Sequence, residues 1–142
     1  MAQADVPLID LDYAFSIRLD TGGRIAFEGP MRSRVFEPVS GGEVYGPRLQ
    51  GRVVPHSGAD FATNNLMDAH LMLQASDGTW IYMNLIGYEH KVTDDGSPYF
   101  RVAPYFDTPM GTWDWLSKTV FIGTAERRHN PDQTLMHIYA LR

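Results

Sequence analysis

Asp68 and His70 stand two residues apart in the stretch Leu66-Met67-Asp68-Ala69-His70-Leu71-Met72-Leu73, which is otherwise apolar. On a strand, residues i and i+2 share a face, so a carboxylate and an imidazole become neighbours there. Apolar surroundings make both pKa values sensitive to environment, which is the condition for proton transfer near neutral pH. The simpler alternative turns this face outward, leaves Asp68 and His70 solvated, and makes Ala69, Leu71 and Leu73 the core. Asp60 closes Gly58-Ala59-Asp60. It is either a general base or hydroxyl-binding carboxylate at a barrel rim, or the side chain of an Asx-turn bonded to downstream amides. Arg101, between Tyr99 and Ala103, would need a carboxylate if it pointed inward, and Asp60 or Asp68 could supply it. Such a guanidinium would grip a carbonyl or anionic group through paired hydrogen bonds, or merely set strand register.

A second group of residues suits substrate binding. Tyr82, Met83, Tyr99, Phe106, Trp113 and Trp115 could line a mainly apolar pocket or form a lid, with Arg34 and Lys118 as candidate polar anchors. The tryptophans equally suit a plug that closes one end of a core. Metal binding is not expected. Histidines at 56, 70, 90, 129 and 137 form no His-x-His or His-Glu-x-x-His pair, and cysteine is absent. Neither a phosphate loop nor a Gly-x-Ser-x-Gly elbow occurs.

Strands must position these residues. Leu11, Tyr13, Phe15, Ile17 and Leu19 alternate with Asp12, Ala14, Ser16 and Arg18, the period-two pattern of a half-buried strand. Further runs lie at 24–27, 32–39 and 49–55, and the pairs Gly41-Gly42 and Gly46-Pro47 are expected to break the chain between them. Asp77-Gly78 marks a hairpin over 66–86. A two-residue loop would pair Leu73 with Tyr82 and put Trp80, Tyr82 and Asn84 beside Ala69, Leu71 and Leu73. A longer loop would change that register. Runs at 99–106, 119–126 and 135–141 complete the set, with a helical turn between Pro109 and Lys118.

The expectation is an all-β, antiparallel, barrel-like fold, lipocalin- or streptavidin-like in general shape. It has about eight or nine strands, one short helical turn, and a single domain over residues 1–142. A net charge of −5 with no basic stripe argues against nucleic acid. No apolar run reaches the roughly 20 residues of a membrane-spanning helix, and no basic segment precedes an apolar run at the N-terminus, so a cytoplasmic location is expected.

The stretch GGEVYGPRLQGRVVPHSGADF (41–61), followed by Asp68 in MDAHLML, Ser76-Asp77-Gly78, YFRVAPYF (99–106) and WLSKTVFIG (115–123), resembles domain of unknown function family 3237. The resemblance implies a compact antiparallel barrel that commonly self-associates. It differs from the family pattern at Phe61, His70 and the turn Pro55–Gly58. Site chemistry, taken with this resemblance and with fold analogy, points to a barrel enzyme for a modest-sized hydrophobic carbonyl or aromatic substrate, using acid–base chemistry without a cofactor, as in isomerisation, cyclisation or elimination. In that scheme Asp68 moves a proton, His70 partners it, and Arg101 stabilises oxyanion charge. A non-catalytic small-molecule binding barrel and a pocketless homo-oligomer are the alternatives. Self-association, as a dimer or higher, is expected under each.

Overall fold

Period-two alternation along most of the chain yields ten strands among the described residues. The computed structural model describes residues 5–91 and 94–142. The strands are β1 (Leu11–Thr21), β2 (Ile25–Glu28), β3 (Ser33–Tyr45), β4 (Gly51–Val53), β5 (Gly58–Thr63), β6 (Leu66–Ala75), β7 (Trp80–Lys91), β8 (Pro98–Asp107), β9 (Phe121–Arg128) and β10 (Gln133–Leu141). Among the described residues, a 3-10 turn at Asp114–Lys118 is the one helical element. All pairings among the described residues are antiparallel. The order β1-β10-β9-β8-β7-β6 continues through β4 and β5 to β3, which pairs back to β1. With β4 and β5 taken as one interrupted strand, this is an eight-stranded, lipocalin-like barrel with β2 as an extra strand beside β3. Among the described residues, no helix is long and apolar enough to cross a membrane.

Three local features set which residues face inward. First, β3 runs unbroken through Gly41-Gly42, contrary to the expected break. Its first half pairs with β2 and β5, and its second half with β1 and β4. At Gly42, with φ of +150°, a Cβ would collide with the Arg18 carbonyl oxygen, so only glycine lets the two strands approach this closely. Second, the register of β1 shifts between Tyr13 and Phe15. A bulge there leaves Leu11 and Tyr13 exposed while Phe15, Ile17 and Leu19 are buried.

Third, the β6–β7 hairpin closes through three residues, Ser76 to Gly78, with Ala75 N–H bonded to the Thr79 carbonyl at 2.9 Å. Leu73 therefore pairs with Ile81 and Gln74 with Trp80, one residue away from the two-residue register. Ile81, Met83 and Leu85 join Ala69, Leu71 and Leu73 inside, while Trp80, Tyr82 and Asn84 take the other face with Asp68 and His70.

Aromatic side chains cluster at one end of the core. The rings of Phe15 and Phe106 meet edge-on at 5.8 Å, and those of Phe106 and Phe121 at 5.3 Å. Leu116, from the 3-10 turn, is buried over them, and Trp115 packs 5.9 Å from Phe121. Edge-to-face rings add roughly 1 kcal/mol per pair beyond area burial. This end is plugged.

Candidate functional site in the barrel mouth

At the opposite end the inward rows change character. β7 presents Ile81, Met83, Leu85 and Gly87, and then Glu89. Along β9 the sequence of inward residues is Phe121, Gly123, Ala125 and Arg127. β3 contributes Val35 and Glu37, β5 contributes Asp60 and Ala62, and β10 contributes Thr134. With Thr21, Arg24, Asn64, His90, Pro98, Arg128, His129 and Asp132 around the rim, the row ends Glu89 and Arg127 and these residues of β3, β5 and β10 line a solvent-accessible cavity of about 650 Å³.

Arg127 links two carboxylates across this cavity. Its Nε donates to Glu89 Oε1 at 3.0 Å and Oε2 at 3.3 Å, and its Nη1 donates to Glu37 Oε1 at 3.2 Å. The guanidinium also lies 5.1 Å from the centre of the Phe100 ring.

Asp60 is placed by the strand rather than by a turn, which replaces the Asx-turn alternative. Gly58 starts β5 so close to β6 that a Cβ there would meet the His70 carbonyl. Asp60 then pairs with Glu37 on β3 and with Ala69 on β6, and its side chain shares the inward face with both. It is 3% exposed. Its Oδ1 accepts the Asp68 backbone N–H at 3.0 Å. Among the described residues no side chain bonds to it. Burial pushes its pKa up from an ordinary 3.8 to about 6, against the Asp68 amide and the Arg127 charge, which lower it; the Glu37 and Asp68 charges add to the rise. A carboxyl group that changes protonation near pH 6 thus faces a space large enough for a small organic molecule.

The relationships of the whole chain agree with this architecture. Residues 9–141 match the model of the family described as Protein of unknown function (DUF3237). The chain belongs to that family. A UPF0311 protein of Rhodopseudomonas palustris strain TIE-1 is 30% identical over 140 residues, covering 85% of this chain and 90% of the relative. Among solved structures, a β-barrel-like protein of Acinetobacter baumannii AYE superposes with a TM-score of 0.86 at 24% identity, covering 96% and 98% of the two chains. An enzyme from Penicillium herquei shares the fold with a TM-score of 0.74 at 21% identity, covering 96% and 98%.

Of the residues singled out in this DUF3237 sequence, the structure brings Asp60 alone of the four acid–base candidates into the cavity. Asp68 and His70 lie on the outer face of the wall behind it. There His70 Nε2 is 3.1 Å from Asp68 Oδ1, its Nδ1 is 2.6 Å from the Tyr82 hydroxyl, and Asn84 Nδ2 donates to Asp68 Oδ1 at 3.2 Å. Arg101 is also outside, stacked 4.8 Å from the Tyr99 ring centre and donating from Nη1 to the Phe100 carbonyl at 2.9 Å; neither Asp60 nor Asp68 meets it.

Arg34 donates to Thr63 Oγ1 at 2.6 Å on the outer surface. Met83 and Phe106 are buried in the core. Trp113 and Trp115 belong to the plugged end, where Trp113 Nε1 donates to Asp77 at 2.8 Å and Arg48 lies 4.0 Å over Trp115. Lys118 is paired with Asp114 at 3.6 Å. Among the described residues no three His, Asp or Glu side chains converge as a metal-ligand set.

Sequence reading missed Glu37, Glu89 and Arg127. Their signal is positional. Each continues an inward period-two row, and the last two end rows of apolar residues and glycine in charges of opposite sign.

Proposed function

We propose that the barrel mouth is the site of a cofactor-independent proton-transfer reaction on a modest-sized organic substrate, with Asp60 as the group that takes up and returns the proton. The observation that carries this reading is a buried carboxyl group, without a side-chain partner among the described residues, lining a 650 Å³ cavity. A base needs a proton affinity near ambient pH to both accept and release, and burial moves Asp60 in that direction. Arg127, held between Glu37 and Glu89, is positioned to polarise a carbonyl oxygen with its remaining N–H groups. Asp68 serves from behind the wall, its amide fixing the Asp60 carboxylate. Isomerisation, cyclisation or elimination next to a carbonyl needs an acid, a base and a pocket of this kind. That the Penicillium herquei protein is described as an enzyme is consistent with a barrel of this shape supporting catalysis.

The test is solvent-isotope labelling. A small-molecule extract is incubated in deuterated water with the protein and with Asp60→Asn, and the compounds are followed by mass spectrometry. Deuterium gain or structural change only with the unmodified protein supports the reading. A compound retained unchanged by both proteins would leave a binding barrel instead.

A separate observation favours self-association. Leu11, Ile86, Tyr88 and Ile122 are each at least 40% exposed around an outer hollow of about 650 Å³. β8 and β9 pair only at Arg101–Thr124 and Val102–Gly123 beneath it. A second copy of the chain covering this face would bury the patch. Light scattering at micromolar concentration reads the outcome, and a monomer would remove the proposal.

A further inference from the structure

We infer that the mouth cavity selects uncharged, hydroxyl-bearing organic compounds and turns away anions, an inference that rests on the cavity being the small-molecule site. The inner wall carries three carboxyl groups, Glu37, Asp60 and Glu89, against one guanidinium, Arg127. Both neighbours of that guanidinium are already carboxylates, at 3.0 and 3.2 Å. Its charge is therefore matched inside the protein, and it is not the free bidentate anchor that a carboxylate or phosphate ligand requires. Asp60 feels the Arg127 charge but, among the described residues, accepts no hydrogen bond from a cationic side chain.

An anion entering this space would meet uncompensated negative charge in a partly desolvated setting, where like charges repel most strongly. Hydroxyl groups suit the same wall, because each donates to a carboxylate oxygen and brings no charge. Organic cations are disfavoured at the entrance by Arg24, which has no carboxylate within 4 Å among the described residues, whereas the rim residue Arg128 is matched by Glu126 at 2.6 Å. Val35, Ala62 and Pro98 supply apolar surface for the carbon skeleton.

Three probes with one skeleton separate the possibilities: cis-cyclohexane-1,2-diol, cyclohexanecarboxylate and cyclohexylammonium, each titrated at pH 7.5 while the backbone amide NMR signals are followed. The expected result is saturable shifts at Glu37, Asp60, Glu89 and Arg127 with the diol, and at least tenfold weaker binding of the other two. Tighter or equal binding of the carboxylate or the ammonium overturns the inference while the cavity stands as a site. Silence of these amides with all three probes sinks the site itself.

Proton transfer is read separately, by the deuterium experiment, so its failure with the diol still bound leaves this inference intact. Glu89→Gln frees one side of Arg127 and is expected to improve cyclohexanecarboxylate binding about tenfold, with Glu37→Gln as the second variant should the first not fold. Unchanged selectivity in a folded variant overturns the explanation through Arg127.

Discussion

At one end of the barrel Phe15, Phe106 and Phe121 interlock beneath Leu116 and Trp115, and at the other Glu37, Asp60, Glu89 and Arg127 surround an open cavity. The same strands build both. β9 starts at the buried Phe121 and reaches Arg127 six residues later on the same inward face. The aromatic end derives its stability from apolar area and close packing. The charged end keeps groups whose burial costs stability, and the closed end offsets that cost. The proposed function and folding strength thus fall at opposite ends of the barrel, which predicts that substitutions at the two ends will affect different measurements.

The largest effect is expected at the closed end. Phe106→Ala should cost about 3–5 kcal/mol, measured by urea denaturation, because a large cavity opens among rings that cannot collapse around it. Amide signals of the mouth should stay in place. A cost below about 1 kcal/mol would mean the plugged end is loosely packed, and the contrast between the ends would fail.

Asp60→Asn should act in the opposite direction. The folded state raises the pKa of Asp60 from 3.8 to about 6, so it favours the protonated form. Stability from this group is therefore complete below pH 3.8 and falls as pH rises through about 6, above which the buried charge is fully formed. The Asn variant should lack this slope, and above pH 6 it should be more stable by up to about 3 kcal/mol. Parallel stability–pH curves for the two proteins would show that Asp60 is not held in a costly state.

Arg127→Gln comes next. Loss of the cation leaves Glu37 and Glu89 facing each other and should cost on the order of 2 kcal/mol at neutral pH, less than a fully buried pair because the site is open to solvent. It should also raise the Asp60 pKa above about 6, since the Arg127 charge lowers it, and carboxyl NMR titration reads that shift. The smallest effect belongs to Asp77→Asn at the surface of the plugged end. The Thr79 amide and the Trp113 indole hold the Asp77 pKa below its usual range. The variant should lower Tm slightly at pH 7 and lose that difference as acid protonates Asp77 in the parent. A large drop would reveal that Trp113 anchors the plug.

Much of the barrel was legible because period-two alternation is a local property. Ile17 and Leu19 announce their face, and the runs in β6, β8, β9 and β10 announce themselves as strands, without knowledge of their neighbours. The hairpin register was not. One residue more in the Ser76–Gly78 loop turns Tyr82 outward and Met83 inward, and loop length is decided by backbone bonds such as that between Ala75 and Thr79. The pairing of Asp68 with His70 was visible at spacing i, i+2, but the side of the wall on which it lies was not.

The sequence by itself determined an antiparallel all-β chain, its short helical turn and its strand-forming segments, because alternation, glycine, proline and turn chemistry act over a few residues. Its order of motifs also pointed to the family. Only the tertiary structure decided that Glu37, Asp60, Glu89 and Arg127 share one cavity, since they come from β3, β5, β7 and β9 and lie up to 90 positions apart. Barrel closure converts these separate row ends into a single ring of charge, and closure depends on long-range register that no local pattern encodes.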